Sequence, residues 1–116
     1  MLVHHIDNYH FGEITINGIS HTKDLIILPS HIITGWWRKE GHVLHLDDLE
    51  EVLSTKPRLL VIGQGAFSRM RIASEVEQAL KAADIEWIAL PTEKACQEFN
   101  LRAPEQVAAA ALHLTC

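Results

Sequence analysis

Residues 1–116 read as one α/β domain, a sandwich of helices on a mainly parallel sheet with a β-hairpin added at the N-terminus. Three observations predict it. Short apolar runs at 24–28, 58–62 and 85–90 alternate with stretches of helical periodicity, the pattern of strands joined by crossover helices. Asn17-Gly18 lies between strand-like runs, a pair suited to a tight turn with positive φ at both central residues. A chain of 116 residues with 47% apolar content can bury a core without help from metal or disulfides.

Taken in order, Ile14 and Ile16 alternate with polar neighbours, Asn17-Gly18 interrupts, and Ile19 resumes, so residues 11–23 form a hairpin. Asp24-Leu25-Ile26-Ile27-Leu28-Pro29 is a short apolar strand closed by proline, the run 31–37 is β-prone and extended, and Gly41-His42 turns the chain. Asp47 is placed to cap a short helix with Leu49, Val52 and Leu53 on one face, ending before Pro57. Arg58 to Ile62 is a second buried strand. Ser74 with Glu77 three positions on has the form of a capping box, and Val76 and Leu80 follow at helical spacing. Ile85 to Leu90 is a third buried strand, ended by Pro91. Thr92 then caps a helix bearing Ala95, Cys96 and Phe99, which Asn100 is placed to close. In the tail, four alanines favour helix by propensity, but small residues on both faces suit a central strand covered on each side. A strand is expected over 107–114.

Composition narrows the function classes. A formal net charge of −5 disfavours nucleic acid, whose phosphates need a basic face. No stretch approaches the roughly 18–20 apolar residues of a membrane helix. The opening MLVHHIDNYHFG lacks the basic start and apolar core of a signal peptide and the Arg- and Ser-rich arm of a transit peptide. Cys96 and Cys116 are too few for a disulfide framework, which suits a reducing cytoplasm.

Val61-Ile62-Gly63-Gln64-Gly65 has the look of a strand entering a phosphate-binding loop. The dinucleotide fingerprint needs a third glycine and a helix that starts at once. Ser68 holds that third position, and Ser74 places the helix well downstream. No Gly-Lys-Ser/Thr follows, so a P-loop is excluded too. The loop remains a turn or the wall of a pocket at the carboxyl ends of the strands, where Arg69 and Arg71 would meet an anion. Trp36-Trp37-Arg38-Lys39-Glu40-Gly41-His42 joins aromatic and cationic side chains, as interfaces and ligand pockets do; the plainer alternative is one tryptophan in the core with the other covering it. The eight histidines lack metal-ligand spacing, and no C-x-x-C occurs. His113 and Cys116 suggest a nucleophile pair, but strand alternation sets them on opposite faces, and a buried structural histidine is the simpler reading. Asp47-Asp48 and Glu50-Glu51 fit a helix's first turn, where carboxylates complement the dipole.

Read together, these pieces resemble a known family. Tyr9-x-Phe11-Gly12, the Ile14-x-Ile16-x-Gly18 hairpin, Asp24-Leu25-Ile26-Ile27 with Pro29, Trp36-x-Arg38-x-x-Gly41-His42, Leu60-Val61-Ile62-Gly63-x-Gly65 and the closing Ala-Leu-His-Leu-Thr-Cys occur in collinear order over nearly the whole chain. The set is similar to the small domain of unknown function shared by the adipogenesis-associated protein and mitochondrial complex I assembly factor 3, and to its stand-alone prokaryotic members. The resemblance implies a three-layer α/β sandwich with a mixed sheet, an extra β-hairpin layer and a last strand running antiparallel inside the sheet. It implies no catalytic reaction, since the mitochondrial branch works as a non-enzymatic assembly factor that binds proteins. Ala66-Phe67-Ser68 departs from the family's small-residue-and-glycine continuation of the Gly-x-Gly turn.

The expected function is therefore a cytoplasmic, non-enzymatic module that binds another protein or assembles with itself, through Trp36, Trp37, Arg38 and His42. The competing expectation is a small-anion or small-molecule site, open to catalysis, formed by Gly63, Gln64, Gly65, Arg69, Thr92 and Lys94. Neither calls for a cofactor, a metal, nucleic acid or a membrane.

Overall fold

The computed structural model describes residues 4–116; Met1 to Val3, the first residues of the segment read for a targeting signal, lie outside them. Its centre is a five-stranded sheet in the order β5-β4-β10-β7-β9, formed by β4 (Leu25–Ile27), β5 (Ile32–Thr34), β7 (Leu59–Gln64), β9 (Glu86–Leu90) and β10 (Ala108–His113). Strand β10 runs parallel to β7, and β7 parallel to β9, while β4 is antiparallel to both β10 and β5. The strand that opposes the others is thus β4. The last strand is parallel to its β7 neighbour, which corrects the orientation implied by the resemblance. Every strand of the parallel trio enters from the same end because a helix or long loop returns the chain across the sheet.

The two faces follow from side-chain alternation. Leu59, Val61, Ala108, Ala110 and Leu112 point to one layer, where they meet Ala95, Cys96 and Phe99 of α3 (Thr92–Arg102). That layer also holds an antiparallel sheet of β1 (Ile6–His10), β2 (Glu13–Ile16) and β3 (Ile19–His21), which contributes Ile6, Ile14 and Ile16 to the same core. Leu60, Ile62, Ala109 and Ala111 point to the opposite layer. There α1 (Glu50–Thr55), α2 (Ser74–Ala82) and the turn before α1 supply Leu49, Val52, Val76 and Leu80. The alanines of β10 are buried on both faces. A strand between two covered faces needs small side chains where helices press close, so the ambiguous tail folds as strand.

Asn17 and Gly18 both take positive φ, 51° and 81°, as the two-residue turn demands. Helix starts depart from expectation in detail. The 3-10 turn Leu46–Leu49 is preceded by His45, whose amide donates to the Asp48 carboxylate at 2.8 Å, so Asp48 rather than Asp47 makes the cap contact. Ser74 is the first helical residue after Ala73, and no side chain caps α2. Thr92 likewise lies inside α3, after Pro91, which frees its hydroxyl for longer-range work. Asn100 does not end α3; it binds both the amide and the carbonyl of Ile6 at 2.8 Å, tying the N-terminal sheet to the helix. A two-residue parallel pair, β6 (Val43–Leu44) with β8 (Arg71–Ile72), closes the loop region above the sheet.

Candidate functional site

The Gly63–Arg71 loop leaves the carboxyl end of β7 and is filled by the chain itself. A Cβ at Gly63 would come within 2.9 Å of both Leu112 Cδ2 and Thr92 Oγ1. Gly65, at φ +104°, faces the main chain of Cys116 so closely that a Cβ would lie 2.3 Å from its carbonyl carbon. The loop amides are spent on this segment. Ala66 N–H donates to Thr115 O, while Phe67 and Arg69 donate to Cys116 O at 3.1 and 3.2 Å. Gly65 N–H donates to Thr92 Oγ1 at 2.8 Å, and that hydroxyl donates on to His113 O at 2.6 Å. Gln64 turns its amide side chain to Met70 O. Of the two readings of this loop, turn or pocket wall, these contacts favour the turn: the amides of Gly65, Ala66, Phe67 and Arg69 and the Gln64 side chain already have partners within the chain, which closes the loop as a clasp. Lys94 lies elsewhere, on α3 in a groove with Leu90, Gln97 and Leu101.

Arg38 also departs from expectation. Its side chain is 4% exposed, and Nη2 donates to Asp24 Oδ2 at 2.9 Å and to Gly41 O at 3.0 Å. His113 Nδ1 lies 2.8 Å from the same Asp24 oxygen and 3.0 Å from Arg38 Nη2, and Leu114 N–H donates to the other carboxylate oxygen at 2.7 Å. Burial opposes ionisation of Asp24, but the His113 and Leu114 hydrogen bonds, with the charges of His113 and Arg38 added, hold its carboxyl below the ordinary carboxylate range. The guanidinium stacks 4.6 Å from the Trp36 ring centroid, a cation–π contact. Trp36 is itself 8% exposed and donates its indole N–H to Asp48 O. Asp24 and His113 have the arrangement of an orienting carboxylate and a base. His113 Nε2, the ring nitrogen turned away from Asp24, is buried with no partner among the described residues.

Trp37, by contrast, lies on the surface, 79% exposed. With Trp36, Ile26 and Ile33 it borders a groove of about 650 Å³ between the β5 edge and the start of α1. Asp47, Asp48, Glu50 and Glu51 line the other side, against Lys39 as the one cation there. The structure thus divides the expected interface set: Trp37 faces solvent beside a groove, Trp36 and Arg38 form its buried support, and exposed His42 packs edge-on against His113 at 6.1 Å. An exposed aromatic pair elsewhere was not foreseen. Phe11, from the β1–β2 turn, meets Phe67, from the glycine loop, with ring centroids 6.2 Å apart. The signal was in the sequence as two unpatterned phenylalanines, Phe11 next to Gly12 and Phe67 two residues after Gly65, but nothing local joins them.

Among the described residues no group of three or more His, Cys, Asp or Glu side chains is placed to hold a metal ion, and no helix is long and apolar enough to cross a membrane. Cys96 and Cys116 are free thiols; burial, with the Glu93 charge added, pushes Cys96 up to about 12.

Comparison with known proteins agrees with this architecture. A conserved hypothetical protein from Pyrococcus horikoshii superposes with a TM-score of 0.82 at 24% identity, covering 96% of this chain and 98% of that one. A protein from Bartonella henselae described as an outer membrane protein superposes at 0.81 with 29% identity, over 96% and 94% of the two chains. A Mth938-like domain from Bordetella pertussis superposes at 0.67 with 17% identity, over 95% and 85%. The model of the family described as "Protein of unknown function (DUF498/DUF598)" matches residues 6–113, and the chain belongs to that family.

Proposed function

We propose that this chain is a non-enzymatic protein-binding module of the cytoplasm, and that the groove beside Trp37 receives a partner segment with an apolar anchor flanked by basic side chains. The observation that carries the reading is Trp37, 79% exposed beside an apolar floor of Ile26, Ile33 and Trp36. Large aromatic side chains at well-supported positions supply much of the energy of protein interfaces. Trp36 and the buried Arg38 beneath it hold that position rigid, so little order has to be imposed on binding. The Asp47, Asp48, Glu50 and Glu51 side of the groove steers a basic segment and rejects an acidic one. The small-anion alternative loses its support because the amides it needs are bonded to Thr115 and Cys116.

The test is a library of short peptides that vary in aromatic content and charge, measured by fluorescence polarisation against the protein and its Trp37→Ala variant. Basic peptides with an apolar anchor are expected to bind saturably, and Trp37→Ala to weaken them by about tenfold or more, the effect of losing an interface hot spot. Binding that is absent, or indifferent to Trp37→Ala and to peptide charge, overturns the proposal.

A further inference from the structure

We infer that β9 is a self-pairing edge, along which two copies of this chain join about a two-fold axis at Ile88 into one continuous sheet. Strand β9 ends the sheet order. Glu86 N–H donates inward to Arg58 O at 3.0 Å, and alternation then turns Ile88 and Leu90 inward as well. The N–H and C=O groups of Trp87 and Ala89 point outward, and neither has a hydrogen-bond partner among the described residues. Edge strands of monomers are ordinarily blunted by a lysine, a proline, a bulge or shortness. Within Glu86–Leu90 there is no lysine and no proline, and its five-residue pairing with β7 carries no register shift. The opposite edge, β5, is blunted by its three-residue length.

The occupant follows from the register. Antiparallel pairing centred on Ile88 sets Trp87 opposite Ala89 of the second copy, and each such pair exchanges both main-chain hydrogen bonds. The neighbouring registers each lose a donor. Centred on Ala89, Trp87 would face Pro91, which has no N–H. Centred on Trp87, Ala89 would face Ile85, whose amide already donates to Leu80 O at 2.9 Å. Side chains agree with the Ile88 register. On the α2 face the large Trp87 lies over the small Ala89, a favourable cross-strand combination. On the α3 face Glu86 lies opposite Leu90, which shares its groove with Lys94, so opposite charges approach and the two Glu86 carboxylates stay apart. This surface is separate from the Trp37 groove, which borders the β5 edge.

Light scattering on a sizing column, from micromolar to millimolar protein, reads the mass directly. A species of twice the 13.1 kDa chain mass is expected to grow in with concentration. Ala89→Pro removes an outward N–H and no inward one, and proline is tolerated at edges; it is expected to stay folded by circular dichroism and monomeric. Amide hydrogen exchange on the unmutated protein gives a second reading. The Trp87 and Ala89 amides should slow by about tenfold or more on concentration while Glu86 and Ile88 do not change. A protein that stays monomeric at millimolar concentration overturns the inference. So does a dimer that survives in folded Ala89→Pro or leaves the Trp87 and Ala89 amides unprotected. Should Ala89→Pro unfold, the amide readout decides alone.

Discussion

Replacing Asp24 with Asn removes the carboxylate that serves the buried cluster against Trp36. Its Oδ2 accepts from Arg38 Nη2 at 2.9 Å and lies 2.8 Å from His113 Nδ1. An asparagine keeps an oxygen for Leu114 N–H, but presents an amide donor, or a weaker neutral acceptor, to those two nitrogens. Arg38, 4% exposed at its side chain, is left as a buried cation without a counter-charge. Breaking such a pair from one side costs about 3–5 kcal/mol, against a total stability of roughly 5–15 kcal/mol for a domain. At about 4 °C per kcal/mol for this size, the melting temperature should fall by roughly 12–20 °C. Asp24→Asn/Arg38→Met should cost less than the sum of the single changes, because removing both charges leaves neither stranded. The pH dependence has a defined sign. The folded carboxyl is held below the unfolded value of about 3.9, so its contribution is present above that pH and is lost as pH falls through the lower folded value. Thermal and urea unfolding followed by circular dichroism at pH 7 measure all four proteins, the unmutated chain, the two single variants and the double. A single-variant loss below about 1 kcal/mol, the range of an exposed pair, or strict additivity in the double variant, would refute the reasoning.

Gly65→Ala should destabilise by about 2 kcal/mol or more, combining a positive-φ penalty of roughly 1–3 kcal/mol with collision against Cys116, whereas Gly12→Ala, at φ +82° with nothing within 4 Å, should show the φ penalty alone; equal melting temperatures for the two would remove the clasp argument. A thiol-reactive dye at pH 8 should label Cys116 in the folded protein and spare Cys96, which is buried and pushed up to about 12; rapid labelling of both would contradict that burial. His45, bonded to Glu40 and Glu75, should titrate above its ordinary value of about 6.5 by NMR. Its contribution to stability is then complete below the unfolded value and fades as pH rises through the folded one, and Glu40→Gln or Glu75→Gln should bring the midpoint down. A midpoint at or below the ordinary value, unmoved by either change, goes against the geometry.

The fold was legible where a local rule has a single solution. Asn17-Gly18 admits one kind of turn, and apolar runs of strand length between helical stretches admit one class of sheet. The alanine tail was legible only through its two small faces, because propensity alone favours helix. Helix starts were misplaced by a residue where Ser74 and Thr92 have the right chemistry but other duties or none. The site was harder. Arg38 looked like a surface cation because its partners, Asp24 and His113, lie on β4's leading edge and at the end of β10, far apart in sequence. Gly63 and Gly65 looked like an anion cradle because an open loop and one closed on Thr115 and Cys116 share the same residues. Trp37 and His42 of the expected interface set are exposed, and nothing in its neighbours told Trp37 apart from Trp36.

An amide NMR titration tests a partner site at the Trp37 groove and a closed glycine loop on one sample, with inorganic phosphate first and then a basic peptide carrying one aromatic anchor. No saturable shift is expected at Gly65, Ala66, Phe67 or Arg69 with phosphate, and saturable shifts are expected at Trp37 and along Ile32–Thr34 with the peptide. Saturable phosphate shifts in the loop, with Trp37 silent to the peptide, would contradict both.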